Sequence, residues 1–259
     1  MNRVINTIDK AKVIFSLVLT LGLTVNIANA TIVEFRTSLG DFKVNLYDET
    51  TPESVANFLN YVNSGAYSNT LFHRSINGFI SQGGGFIYDS SWPPSTLQTN
   101  PAVNNEPIYS NVRGTIAYAK LGGQPNSATS QWFFNLNNNN SNDPNSLDNQ
   151  NSGFTVFGEV MDNGMDVIDS IAALTTYPLD TGAFTDIPLQ NYTEGEDPNE
   201  TNIILITEIV IDDPAVNTAS GLNPQATNRG NSTSSSGGSG SLGLSILLLL
   251  VFTTRFTRS

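Results

Sequence analysis

Arg74, Gln82 and Gln131 are side chains whose types could do chemistry, one guanidinium donor and two amides, and Phe79, Ile80 and Phe133 stand near the two amides in the sequence. A guanidinium stays protonated and offers its donors in a rigid fork. Amide side chains hold a polypeptide backbone without titrating. Together these groups suit chemistry done by binding and by a positioned donor, with no covalent bond to the protein. Taken singly, each has a plainer role: Arg74 as a surface ion-pair partner, Phe79, Ile80 and Phe133 as core, Gln131 as an exposed polar residue. The covalent and metal-assisted alternatives lack residues. The chain has no cysteine and a single histidine, His73, so thiolate catalysis is excluded and a Cys/His zinc site has no ligand set. No second imidazole completes a relay with His73, and no serine sits in a Gly-x-Ser-x-Gly elbow. The acidic group Glu194, Glu196, Asp197 and Glu200 lacks the spacing of an EF-hand loop. Neither a metal nor a cofactor is expected.

The elements that must carry these residues are mostly strands. Ile32 to Arg36 and Phe42 to Tyr47 alternate apolar and polar residues around Ser38-Leu39-Gly40-Asp41, which predicts an opening β-hairpin. Thr51 followed by Pro52, with Val55, Phe58, Leu59 and Val62 at helical spacing, predicts an amphipathic helix ending at Gly65. Short strand-like runs follow at Phe79 to Gln82, Gly114 to Ala119, Gln131 to Leu136 and Thr155 to Val160, separated by Gly-, Asn- and Pro-rich segments. A second helix is predicted over Met165 to Leu174, and Ile203 to Ile211 reads as a strand buried on nearly both faces. Asn137 to Gly153 and Tyr177 to Thr201 read as surface loops. There is no internal repeat.

The 259 residues fit one medium domain with extra segments at both ends. Arg3, Lys10 and Lys12, then an apolar run from Val13 to Val25, then Ala28-Asn29-Ala30 form the three-part pattern of a secretory signal peptide. The run is shorter than the roughly 20 residues a spanning helix needs, so cleavage after Ala30 is expected and an N-terminal anchor is the weaker reading. Residues 31–213 are the folded domain. Residues 214–241 turn to Asn, Ser, Thr and Gly, as in a flexible linker. Residues 242–259 hold a short apolar run, Leu242 to Phe252, ahead of Arg255 and Arg258. This end resembles the Gly-rich, short-apolar, basic sorting tails of Gram-negative bacteria that an intramembrane protease removes. A retained anchor and a GPI signal are the alternatives, and the trailing basic residues speak against the second. An exported protein, periplasmic or at the cell surface, with transient membrane association through this tail, follows as an expectation. The formal charge of −12 disfavours nucleic acid as a partner; residues 31–241 alone carry six Lys and Arg against 22 Asp and Glu.

Leu71 to Phe86 reads Leu-Phe-His-Arg-Ser-Ile-Asn-Gly-Phe-Ile-Ser-Gln-Gly-Gly-Gly-Phe. It resembles the cyclophilins, whose motif is Phe-His-Arg, a spacer, Gly-Phe, two residues and Gln-Gly-Gly. Gly114-Thr115-Ile116-Ala117-Tyr118-Ala119, Ser127 to Asn135, Phe154 to Val160 and Gly164 to Ile168 resemble the family's later blocks, in order, in the bacterial periplasmic form. The resemblance covers Thr31 to Asp213. It implies a mainly β fold, a closed eight-stranded antiparallel barrel capped by two helices, and peptidyl-prolyl cis/trans isomerase activity on proline-containing peptides and unfolded or exported proteins, in a monomer. Carried over residue by residue, it makes Arg74 the catalytic guanidinium. Phe79, Ile80, Phe133 and Leu147 become walls of the proline pocket, Gln82 and Gln131 hold the peptide backbone and orient the Arg, and Ala119 lines the groove. His73 becomes a structural residue facing away from the groove. Three positions depart from the family: Lys120 replaces the groove Asn, Ser146 the pocket Trp and Phe154 the pocket His. Lys120 keeps its backbone for the substrate, and Ser146 removes an indole donor, which implies weak cyclosporin binding. A non-catalytic peptide-binding module that kept the groove is the rival reading.

Overall fold

The computed structural model describes residues 31–180, 182–214, 218–219 and 222–227. The expected leader, the apolar C-terminal segment and most of the expected linker lie outside the described residues. The elements run β1 (Ile32–Thr37), β2 (Gly40–Leu46), α1 (Pro52–Asn63), β3 (Thr70–Leu71), β4 (Arg74–Ile76), β5 (Ile80–Gly83), β6 (Phe86–Ile87), β7 (Ser95–Thr96), β8 (Thr115–Tyr118), β9 (Trp132–Asn135), β10 (Val156–Val160), α2 (Gly164–Ala172), β11 (Thr176–Tyr177), β12 (Ile187–Pro188) and β13 (Leu205–Asp213). β11 and β12 pair only with each other; the other eleven strands form one curled antiparallel sheet in the order β4-β5-β9-β8-β10-β2-β1-β13-β3-β6-β7.

The mainly β, two-helix architecture matches the expectation, and the strand count differs from eight because several strands are interrupted. Gly84, at φ +76°, breaks the line between β5 and β6. Phe72 and His73 separate β3 from β4. There the Phe72 N–H donates to the Ile204 carbonyl at 3.1 Å and the His73 N–H to the Gln82 carbonyl at 3.1 Å. Residues 70–76 therefore pass from the β13 side of the sheet to the β5 side.

Alternation along the strands sorts side chains onto two faces. The inner face carries Phe35, Phe42, Ile116, Tyr118, Trp132, Phe134 and Phe157, all buried. Phe35 lies edge-on to Trp132 at 5.3 Å and to Phe134 at 5.5 Å, the geometry aromatic pairs favour. α1 buries Val55, Phe58, Tyr61 and Val62 against this core, and α2 buries Ile168 and Ile171.

Two local expectations are amended. Thr51 does precede a helix with Pro at its first turn, but its hydroxyl donates to the Tyr47 carbonyl at 3.1 Å instead of accepting from the helix. The Glu106 carboxylate takes the N-terminal N–H groups instead, accepting from Ser54 at 2.9 Å and Glu53 at 3.3 Å, as the positive end of a helix favours. The two supposed surface loops are also anchored. Leu147 and Asp148 of the first are buried, as are Phe184, Ile187 and Leu189 of the second, which join Leu71, Phe86 and Ile203 in a separate apolar cluster.

Residues 222–227 also lie on the domain. Ala226 bridges Tyr109, the Ser110 N–H donates to the Gln225 carbonyl at 2.8 Å and the Thr227 N–H to the Ile108 carbonyl at 2.9 Å.

Packing around Gly83 and Gly84 leaves no room for a side chain. A Cβ on Gly84 would lie 2.7 Å from both the Ser130 carbonyl oxygen and Trp132 Nε1, whereas one on Gly123, also at positive φ, meets nothing within 4 Å. Gly84→Ala should cost about 3 kcal/mol of unfolding free energy, combining left-handed strain with overpacking; Gly123→Ala should cost only about 1 kcal/mol, the backbone part. Equal losses in a denaturant titration would show that Trp132 does not enforce the glycine.

Candidate active site

Three cross-strand pairs line up the candidate residues. Arg74 stands opposite Gln82 across β4 and β5, Gln82 opposite Phe133 across β5 and β9, and Phe133 opposite Ala117 across β9 and β8. Directly paired residues share a face. Arg74, Gln82, Phe133 and Ala117 therefore form a row on the outer face, while Trp132 and Phe134 point inward. Ile80, two residues from Gln82, lies on the same outer face.

The row is extended at the start of β9, through Gln131. The Gln82 Nε2 donates to Gln131 Oε1 at 3.0 Å, and the Ala119 N–H donates to the Gln131 carbonyl at 2.9 Å. Ile80, Ala117, Ala119, Phe133, Leu147 and Phe154 pack into one outer apolar cluster, with Phe79 half-buried against it. Phe154 meets Phe133 edge-on at 5.8 Å. Arg74, Phe79, Ile80, Gln82, Ala119, Gln131, Phe133, Leu147 and Phe154 are thus in one neighbourhood, although Leu147 and Phe154 come from a long Asn-rich loop.

Lys120 enters differently from the rest. Its side chain is buried, donates from Nζ to the carbonyls of Asn151 at 2.9 Å and Gly153 at 2.6 Å, and lies 4.8 Å from the centre of the Phe154 ring. The ammonium is spent on the loop that delivers Phe154, and Ser146 accepts from Asn149 Nδ2 at 3.0 Å within the same loop.

Sequence reasoning passed over Asn111 and Asp148. Both are buried, and Asp148 Oδ1 accepts from the Asn111 N–H at 2.8 Å and from its Nδ2 at 3.0 Å. The Asn111 amide also donates to the Phe154 carbonyl at 3.1 Å, and Asn135 Nδ2 donates to Asn111 Oδ1 at 3.2 Å. This network pins the loop carrying Leu147 and Phe154 to β9, so the two side chains reach the outer cluster. Asn111 stands in no motif, and only tertiary contact reveals it.

The electrostatics separate Arg74 from His73. Burial draws the Arg74 guanidinium below its ordinary value while the Asp186 carboxylate, 3.5 Å from Nε, works the other way. With an ordinary value of 12.5 as its start, it remains a cation. His73 is fully buried, with its ring edge-on to Phe86 at 5.0 Å. Burial, then the Arg74 charge, lowers its pKa to about 3, against weaker opposing hydrogen bonds that include one with Gln131. It is a neutral structural imidazole. Among the described residues no group of His, Cys, Asp and Glu could hold a metal ion.

Burying His73 neutral links folding to pH. The unfolded chain binds a proton at an imidazole near pH 6.5 that the folded chain refuses until about pH 3, so the stabilisation is full above 6.5 and is lost as pH falls below it. Between pH 6 and 5, above the carboxylate range, the wild type should lose about 1.4 kcal/mol per pH unit from this group. His73→Gln should lack that slope in denaturant titrations, and an unchanged slope would show that His73 titrates normally in the fold.

Comparison with known proteins agrees with this geometry. Residues 32–193 match the family model described as cyclophilin type peptidyl-prolyl cis-trans isomerase/CLD. Peptidyl-prolyl cis-trans isomerase B of Escherichia coli (strain K12) is 40% identical over 159 residues, 61% of this chain and 93% of that protein. Peptidyl-prolyl cis-trans isomerase A of Dickeya dadantii is 41% identical over 161 residues, 61% of this chain and 79% of that protein. A crystal structure of a Cryptosporidium parvum cyclophilin-type isomerase superposes with a TM-score of 0.50 at 27% identity, covering 71% of this chain and 98% of its own. The strand-paired row of Arg74, Gln82 and Phe133 and a family model spanning most of the described domain lead to one conclusion: the chain belongs to the cyclophilin-type peptidyl-prolyl cis-trans isomerases.

Proposed function

We propose that this protein catalyses cis/trans isomerisation of X-Pro bonds in exported polypeptides. The observation that carries this reading is the row in which a guanidinium, an amide and an aromatic ring follow one another across three neighbouring strands. Rotation about X-Pro faces a barrier of roughly 18 to 20 kcal/mol from amide resonance, whereas the two planar forms differ by only about 0.5 to 1 kcal/mol. No nucleophile is needed. In the twisted state the imide nitrogen regains its lone pair, so a fixed donor at that nitrogen stabilises the transition state more than either ground state.

Each residue then has a part. Phe133, with Phe79, Ile80, Leu147 and Phe154, holds the proline ring in the apolar cluster. Gln82 and Gln131 hold each other and offer their remaining amide groups to the peptide backbone. Ala119 and the backbone of Lys120 line the groove, and Arg74 donates to the imide nitrogen. His73 takes no part in proton transfer, because it is buried and neutral. A peptide-binding module without catalysis would need the pocket and the amides but no donor at the reacting nitrogen, and Arg74 favours the enzyme.

The leader and tail patterns support export with subsequent trimming, leaving a monomeric enzyme in the periplasm or at the cell surface. Among the described residues no helix is long and apolar enough to cross a membrane.

Arg74→Ala should lower kcat/KM at least about 100-fold, the scale of losing one transition-state donor, with circular dichroism unchanged. Wild-type turnover by that variant in a protease-coupled assay would end the mechanism. Wild-type kcat/KM should stay flat between pH 6 and 8, and an inflection there would return His73 to the chemistry. Mass spectrometry of the protein exported by its native host should find a chain starting at Thr31 and ending within residues 232–244, whereas intact Ser259 in the membrane fraction would make the tail an anchor.

A further inference from the structure

The segment preceding β12 meets the groove at one point. β4 forms one end of the main sheet, and the Ser75 N–H, on its outer edge, donates to the Asp186 carbonyl at 2.8 Å. That bond fixes the Asp186 backbone one residue along from Arg74. On either side, Phe184 and Ile187 are buried in the apolar cluster that also contains Leu71 and Phe86, and Leu189 bridges Ile203. Asp186 is therefore held by hydrogen bonding and by burial of its neighbours, on a segment whose composition reads as a loop. Its carboxylate is aimed as well. The Thr185 hydroxyl donates to Oδ2 at 3.0 Å, and the same oxygen lies 3.5 Å from Arg74 Nε.

Stability is a weak explanation for this arrangement. The Asp186 side chain is 38% exposed, and ion pairs at such sites contribute little to folding. Orientation is a stronger one. The Arg74 side chain is only 13% exposed, and a long side chain that must present one face of its fork gains from a fixed charge on another face, because the rotamers that point elsewhere are disfavoured before substrate arrives. The pair is made through Nε, so it restricts the plane in which the guanidinium lies. At 3.5 Å it is longer than a charge-assisted hydrogen bond, so it orients by field rather than by a rigid bond.

We infer that Asp186 is a positioning residue for isomerisation, acting through Arg74 to aim the guanidinium at the imide nitrogen of the bound X-Pro bond; the inference rests on the isomerase reading. Removing the carboxylate should leave the apolar pocket and the amides intact. Ground-state binding is then preserved while the transition state loses alignment, which lowers kcat and leaves KM in place.

The test uses the full chain and a chromogenic Ala-Pro tetrapeptide, with kcat and KM measured separately for the wild type, Asp186→Asn, Asp186→Glu, Arg74→Ala and the Arg74→Ala/Asp186→Asn double variant. Asp186→Asn should lower kcat about tenfold, within the range of coupling seen between contacting residues, with KM changed less than about twofold. Asp186→Glu should recover part of the loss, and Asp186→Asn should add nothing once Arg74 is alanine. An unchanged kcat in Asp186→Asn overturns the inference, as does an equal loss in the Arg74→Ala background, which would place the effect in the fold of the segment. An inert wild type would overturn the isomerase reading itself, and the inference with it.

Discussion

The register between β5 and β9 is the constraint on which the rest of this molecule depends. It is set by three consecutive glycines lying against two large side chains. A Cβ on Gly83 would come 2.7 Å from Trp132 and one on Gly85 2.7 Å from Gln131, so neither position has room for a side chain. Trp132 is thereby held over the glycines and faces inward among Phe35, Phe72 and Phe134. Because alternation is strict, Phe133 must face outward beside Gln82. A slip of one residue would exchange the two faces, placing the indole in the groove and the pocket ring in the core. The core and the groove are two sides of one packing decision.

A second layer of order lies outside the curled sheet, and it is polar. The outer cluster needs Leu147 and Phe154, which a long loop must deliver. Asn111, Asp148 and Asn135 tie the base of that loop down, while the Lys120 ammonium gathers the carbonyls of Asn151 and Gly153. Asn151 and Ser152 both adopt positive φ there, a conformation that costs free energy and persists where surrounding contacts fix it. The buried Asn111, Asn135, Asp148 and Lys120 side chains each have a hydrogen-bond partner, and together they hold the pocket wall in place.

What the sequence made legible follows from how far each signal reaches along the chain. β1, β2, α1, β8, β9, β10, α2 and β13 were readable because each is long enough to show a period. The two-residue strands β3, β6, β7, β11 and β12 carry no period, and their pairing is settled by distant partners. Arg74, Gln82, Gln131 and Phe133 stood out through their motifs, and the strand pairing accounts for their adjacency. Asp186 had no such mark: it lies in a segment read as an acidic loop, and its nearness to Arg74 exists only once β4 meets that segment. Lys120 follows Ala119 at the edge of the outer cluster, but the direction of its side chain depends on the loop opposite. Residues 222–227 read as linker from composition alone, yet their backbone groups pair with Ile108 and Ser110, and Leu222 rests on the outer cluster.

The burial of His73 also shapes how the whole molecule behaves as a polyion. It is the single imidazole in a chain without cysteine, and its withdrawal from titration leaves a wide interval between the carboxylates and the tyrosines and lysines in which only an α-amino group changes charge. The protein therefore has almost no buffering capacity from about pH 5.5 to 9. Its electrophoretic mobility and the repulsion that keeps copies apart stay nearly constant across that span. Colloidal behaviour is thus decoupled from acidity by the same buried ring that packs edge-on against Phe86.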